Sequence, residues 1–176
     1  MTVSERPALK LVEGGLGHDV PWLWFCGNCA APSPHGGPPP PHARVCPSCG
    51  FGLLLEARED AIPGDRDAFL VVDSSLLIQA MSREAQRFLG LTEQEAVNKP
   101  IAELLVPADA EAQGRTGFAA AISLAADGQD PETSRRVVRP RNTFGVRMRA
   151  RVATCGPPRA ALIVLEDSAP RPLRAV

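Results

Sequence analysis

Four cysteines, Cys26, Cys29, Cys46 and Cys49, form two C-x2-C pairs with 16 residues between them, and no other feature constrains the fold of this chain as much. Two thiolate pairs, each on a tight turn, converge as a tetrahedral set of four sulfurs, which Zn2+ accepts with no geometric preference of its own. Buried free thiols or two disulfides are the alternatives. Two short loops that both carry turn residues favour a metal, and a structural zinc is the expectation.

The second pair reads Cys46-Pro47-Ser48-Cys49-Gly50; proline sets φ and Gly50 is free to take positive φ behind the last ligand. Here the chain resembles zinc ribbons and rubredoxin-like knuckles, whose usual half-site is CPxCG. The first half-site, Cys26-Gly27-Asn28-Cys29-Ala30, departs from that pattern but still offers Gly and Asn for the turn. The resemblance leaves iron as the alternative metal, since the same pairs can hold it. Pro32 to Pro41, with His35 and a run of four prolines at its end, cannot supply a regular ladder and is expected to be an exposed, partly extended loop.

Roughly 35 residues around a metal cannot bury a self-sufficient core, so coordination, worth roughly 10 to 16 kcal/mol in small zinc modules, has to supply the folding energy. Trp22, Trp24 and Phe25 lead into the first pair, and Phe51, Leu53, Leu54 and Leu55 leave the second. They are read as two short strands packed over the site, with an aromatic recognition surface as the alternative.

At 176 residues, 44% hydrophobic and 22% charged, the chain has room for this module and one ordinary globular domain. The N-terminus lacks the pattern of a signal peptide, and no apolar run approaches the ~18 residues that span a bilayer. The expected location is therefore cytoplasmic with no membrane partner, and paired cysteines in a reducing compartment point to metal rather than disulfides. Net charge is −1, which gives no global drive toward nucleic acid. Residues 1–64 hold four basic groups against six acidic ones, unlike a DNA-reading ribbon, whereas seven arginines and no acid lie between Arg135 and Arg151.

The expected layout is a flexible tail over 1–18, a zinc ribbon over 19–60, a linker over 61–67 containing Pro63-Gly64, a second domain over 68–168 and a C-terminal tail over 169–176. The glycines of Gly14-Gly15-Leu16-Gly17 lack the strand, helix and lysine of a phosphate loop and belong to the tail.

In the second domain, Phe69 to Asp73 and Leu76 to Met81 read as a hairpin. Ser82 caps a helix ended by Gly90, and Thr92 with Glu95 forms a capping box for a helix that stops before Pro100. Ile101 to Val106 reads as a helical turn, and Arg115 to Asp127 as an alanine-rich helix ended by Gly128. Three strands follow: Arg135 to Arg139; Val146 to Val152, with a buried Val/Met/Ala face and a wet arginine face; and Ala160 to Leu165, apolar throughout like a central strand packed on both faces.

This order resembles the PAS domain. Phe69-Leu70-Val71-Val72-Asp73 is similar to that family's first strand, Ser82 to Gly90 to its N-x-A-A-x-x-L-x-G helix, Thr92-Glu93-Gln94-Glu95 with Asn98-Lys99-Pro100 to S-x-E-E-L-x-G-R-P, and Leu104 to Asp109 to L-x-H-P-D-D. Asn98 stands where the family usually has glycine, and asparagine tolerates the same left-handed backbone better than most residues. The fold expected is therefore α+β: a small β zinc ribbon plus a five-stranded antiparallel sheet with short helices on one face.

The resemblance implies a sensor or association module rather than a catalyst. Haem-binding members use an axial histidine, and all three histidines here, His18, His35 and His42, precede the region; photoactive flavin members use a helix cysteine, which residues 83–89 lack. Neither haem nor flavin is expected. Cys155, with no basic neighbour to activate it, reads as a bystander thiol.

An apolar interior lined by Phe88, Ile101, Leu105, Phe118, Ile122, Val138, Met148 and Val164 is either a filled core or a cavity for a small apolar signal. Arg147, Arg149 and Arg151 form a candidate face for an anion, an acidic partner or a phosphate backbone, against the alternative of a solvated outer face. No nucleophile elbow or open metal site suggests an enzyme. The functional expectation is a regulatory protein acting as a homodimer or with a protein partner. Its alternatives are a nucleic-acid-binding regulator and a rubredoxin-like iron protein.

Overall fold

The computed structural model describes residues 20–108, 117–129, 132–143 and 146–166. The two tails, the glycine cluster at 14–17, Asp109 and Arg115 fall outside them. Among the described residues no helix is long and apolar enough to cross a membrane.

The chain runs β1 (Trp22–Cys26), β2 (Leu54–Arg58), β3 (Ala68–Val72), β4 (Ile78–Met81), α1 (Arg83–Leu89), α2 (Glu93–Ala96), β5 (Leu105–Pro107), α3 (Phe118–Ala126), β6 (Ser134–Pro140), β7 (Met148–Gly156) and β8 (Ala160–Glu166), with 3-10 turns at Pro41–Ala43, Glu59–Ala61 and Ile101–Glu103. The strands join in one eight-stranded sheet of order β1-β2-β7-β8-β3-β4, with β6 also on β7 and β5 on β6. All pairs are antiparallel. The ribbon hairpin and the second domain's strands thus share a sheet instead of standing as separate beads. β7 makes this possible by splitting its edge: its first half pairs with β6 from Ser134 to Val138, and its end pairs with β2 through Glu56 opposite Gly156 and Ala57 opposite Cys155.

The local signals explain most elements. Ser82 Oγ accepts the N–H of Ala85 and also that of Phe69, so one buried hydroxyl caps α1 and ties it to β3. Gly90 ends α1 at φ 67°, and Thr92 and Glu95 form the reciprocal capping box of α2. Asn98 takes φ 64°, the left-handed backbone expected of it. Asp73 closes the β3–β4 turn by accepting the N–H groups of Ser75 and Leu77, both at 2.9 Å. Ile101 to Val106 is not one helical turn: after Glu103 the chain extends into β5 and pairs with β6. β7 begins at Met148 rather than Val146, and α3 begins at Phe118.

Among the described residues the helices lie on one face of the sheet, over a core that includes Leu70, Ile78, Ile122, Val138, Val152 and Ile163. The opposite face is also buried, and there the cover is the ribbon: Phe25, Leu55 and Ala57 pack on Phe69, Val71, Leu162 and Val164. Phe25 and Phe69 meet edge to face at 5.9 Å between centroids. This double burial is why β8 carries no polar residue until Glu166. Residues 61–67 include the buried Ala61 and Pro63.

Candidate metal centre

Cys26 ends β1, and Cys29 follows a turn in which Ala30 N–H returns to the carbonyl of Cys26 at 3.0 Å. The second knuckle repeats this device, Gly50 N–H reaching the carbonyl of Cys46 at 2.9 Å. Both turns end in left-handed backbone, Gly50 at φ 68° and Ala30 at φ 60°. The first half-site therefore keeps the knuckle geometry while lacking the glycine that adopts it without strain.

The four sulfurs lie within 4.8 Å of one another. Cys26 Sγ is 3.7 Å from Cys49 Sγ and Cys29 Sγ is 3.9 Å from Cys46 Sγ, far beyond disulfide length, and all four thiols are free. Metal–sulfur bonds of about 2.3 Å in a tetrahedron give sulfur–sulfur edges of about 3.8 Å, so the spacing fits a tetrahedral cation. Backbone N–H groups aim at the sulfurs: Asn28 at Cys26 (3.3 Å), Cys29 at Cys26 (3.5 Å) and Gly52 at Cys49 (3.4 Å). Such donors stabilise thiolates and fix their direction. Burial pushes the Cys26 and Cys29 thiols above their ordinary range. At Cys49 burial acts the same way, but the N–H groups of Gly52 and Phe51 and the neighbouring thiols outweigh it and draw the group down to about 6. A divalent cation would resolve this conflict by holding all four as thiolates. A cation held by all four sulfurs would have no position left for water.

Gly52 is a site residue that the sequence did not single out. Besides its bond to Cys49, its carbonyl accepts Cys46 N–H at 2.7 Å, and a Cβ there would lie 2.5 Å from Cys26 Sγ. Arg44 is another: it lies over Trp24 at 5.9 Å, and its Nη2 donates to the carbonyl of Pro157 at 2.7 Å, clipping the ribbon to the β7–β8 turn. The aromatic residues flanking the cysteines divide. Phe25 is fully buried, whereas Trp22 is 49% and Phe51 67% exposed, so only part of the hydrophobic set serves as core.

Of the interior residues expected to line one cavity, Ile101, Leu105, Phe118, Ile122, Val138 and Met148 do come together on the helix side of the sheet. Phe88 does not: seven-residue α1 packs through Ala85 and Leu89, and Phe88 stands 45% exposed on its outer side. Val164 faces the ribbon, since strand alternation sends Ile163 and Leu165 to the helices and Val164 the other way. An open groove of about 750 Å3 lies on the ribbon side, with Leu53, Leu55, Val71 and Ala80 among its walls.

The arginine face is also divided. Arg149 is exposed, as is Arg147 just before β7. Arg151 is drawn inward, 15% exposed, with Nε 2.8 Å from Glu166 Oε1 and Nη1 donating to the carbonyl of Asp60 at 2.6 Å. Its charge is spent inside the molecule.

The model of the PAS fold family matches residues 61–167, well over half of the chain. The chain belongs to the PAS family. Solved structures similar to it include a PAS domain of a protein from Colwellia psychrerythraea, with 18% identity and TM-score 0.43 over 57% of this chain and 85% of that one. The E. coli DhaR(N)–DhaL complex is similar at 16% identity and TM-score 0.38, over 57% of this chain and 31% of the other. No curated protein matches it. In this PAS protein the sheet order β4-β3-β8-β7-β6 carries the family fold, and the four-cysteine ribbon is an addition at its N-terminal end.

Proposed function

We propose that this PAS protein is a cytoplasmic regulatory protein in which a structural zinc ribbon, residues 19–60, is coupled to a PAS domain, residues 68–168, that senses a small signal or mediates protein association. The observation that carries the reading is the set of four sulfurs at tetrahedral spacing on a hairpin that shares a core with the PAS sheet. PAS domains work by sensing or association, and a closed sulfur site adds rigidity instead of catalysis, which supports a non-enzymatic role. Zinc is favoured over iron by its indifference to geometry, and the same sulfurs would hold iron. Metal analysis with an absorbance spectrum of natively purified protein tests both: zinc with no visible band supports the reading, and a visible iron–thiolate band supports the redox alternative.

The domain is proposed to bind neither haem nor photoactive flavin, because the residues those subclasses use are missing from its helices. Its partner is a second copy or another protein. The nucleic-acid alternative is weakened by the internal pairing of Arg151. A steep loss of binding with salt would revive it.

A further inference from the structure

Phe51 and Leu53 leave the second knuckle more than half exposed, although nothing in the sulfur site calls for large apolar groups there. Both are walls of the groove of about 750 Å3, which continues over Leu55, Val71 and Ala80 onto the sheet. The groove is preformed, because its ribbon side and its sheet side are fixed to each other. Ala30 packs in the core that ribbon and sheet share, Arg44 Nη2 donates to the carbonyl of Pro157, and Asp60 accepts Thr133 Oγ1 on its carboxylate at 3.0 Å and Arg151 Nη1 on its carbonyl. A preformed groove of this size with mostly apolar walls and a few polar groups has the make-up of a small-ligand site.

The polar groups converge on one corner. Asn28, only 9% exposed, lines the groove, and its Oδ1 is buried without a hydrogen-bond partner, a costly state for an amide oxygen. Its backbone carbonyl turns to α1 and accepts the Arg83 N–H at 3.0 Å, whereas a Cβ on Gly52, another wall, would lie 2.7 Å from Asn28 Cβ, so the side chain stands on the groove side. Glu93 is tied to the same stretch: its Oε1 accepts the N–H of Met81, two residues before Arg83, at 3.0 Å, and its Oε2 has no partner among the described residues. Asp73 adds a second carboxylate to the lining, and neither acid is in an ion pair among the described residues. Arg159, the one cation in the lining, is drawn away, its Nη1 donating to the carbonyl of Asp127 at 3.1 Å beyond the end of α3.

We infer that the groove is a binding site for a small organic cation, an ammonium group on an apolar body. The body covers Phe51, Leu53 and Leu55, and the ammonium donates to Glu93 and to the unpartnered oxygen of Asn28, with Asp73 adding to the attraction. An anion would meet two carboxylates, and a neutral apolar molecule would strip water from Glu93 and leave both acceptors unpaired. The site lies across the sheet from the helix-side interior, and it does not depend on which metal the sulfurs hold.

The natively purified full chain is titrated by calorimetry with phenylbutylamine, phenylbutanol and phenylbutyrate, which share one apolar body, and amide shifts are mapped by NMR. The amine should bind roughly tenfold or more tighter than either other probe, with shifts at Gly52, Val71 and Ala80. Glu93→Gln keeps an acceptor for the Met81 N–H; it should cost the amine roughly tenfold or more and leave the alcohol unchanged, which shows that the groove itself is intact. Phe51→Ala, at an exposed wall, should weaken amine and alcohol alike, and Glu103→Gln, outside the groove, should change neither. An amine that binds no tighter than the alcohol or the carboxylate overturns the proposal. So do shifts confined to helix-side residues such as Ile122 and Val138, or a Glu93→Gln chain that holds the amine as tightly as wild type. The metal content of the protein enters none of these readings, so their failure and that of the metal reading stay distinct.

Discussion

Gly52 and Ala30 show how much of the metal centre rests on residues that are not ligands. A methyl at position 52 would meet Cys26 Sγ at 2.5 Å and the Asn28 backbone nitrogen at 2.9 Å, neither of which can move without displacing a knuckle. Gly52→Ala should weaken metal affinity by about 10- to 100-fold, the range for losing support behind a ligand, as measured by competition with a chelator dye. Ala30 presents the opposite case. Relief of its left-handed backbone, about 1–2 kcal/mol, favours glycine, while its largely buried methyl, about 0.8 kcal/mol, favours alanine. Ala30→Gly should therefore stabilise the protein by roughly 1 kcal/mol or less in urea titration, and a loss of stability would show that burial wins. The cysteines were legible because ligand spacing is local. Gly52 was not, because a glycine two residues past a CPxCG turn reads as more turn until the first knuckle is folded against it.

Elements assigned from caps agree with the structure more closely than those assigned from hydrophobic runs, since a cap signal is complete within four residues. Ser82 is read twice, by Ala85 N–H and Phe69 N–H, and only the first bond was visible in sequence. Ser82→Ala removes a cap and orphans a buried donor, so a loss of about 2–4 kcal/mol is expected in thermal or urea unfolding. A loss below about 1 kcal/mol would mean that β3 does not need the link. In α2 the N–H of Thr92, with its hydroxyl, holds the Glu95 carboxyl below its ordinary range. A depressed carboxylate contributes stability above its unfolded pKa and loses it as pH falls through the folded value. Thr92→Ala removes the hydroxyl but keeps the N–H, so it should flatten the acid limb of the stability profile only in part, with little change in its slope at neutral pH. The misplacement of Val164 has a plain cause. Residues were assigned to one interior, whereas β8 feeds two, and period-two alternation from Ile163 already sends Val164 to the other side.

The whole molecule departs from the sequence expectation at the junction of its parts. A ribbon, a linker and a five-stranded sheet are each recognisable alone, but β2 joins β7 about a hundred residues later, and long-range pairing leaves no local mark. The one available hint was β8, whose unbroken apolar run needs a second cover that the PAS helices do not provide. The junction also redistributes charge: Arg149→Glu should be tolerated, whereas Arg151→Glu places an acid beside Glu166 and Asp67 and should destabilise the fold by about 3–5 kcal/mol. Equal stability of the two variants in urea would show that the Arg151 pairing is idle. The claim on which the account turns is that Cys26, Cys29, Cys46 and Cys49 together hold one metal ion. Its most direct measurement is the metal-to-protein ratio of natively purified wild type beside Cys46→Ser. We predict one zinc per chain in the first and none in the second; a metal-free wild type with thiols intact, or equal metal in both, would contradict it.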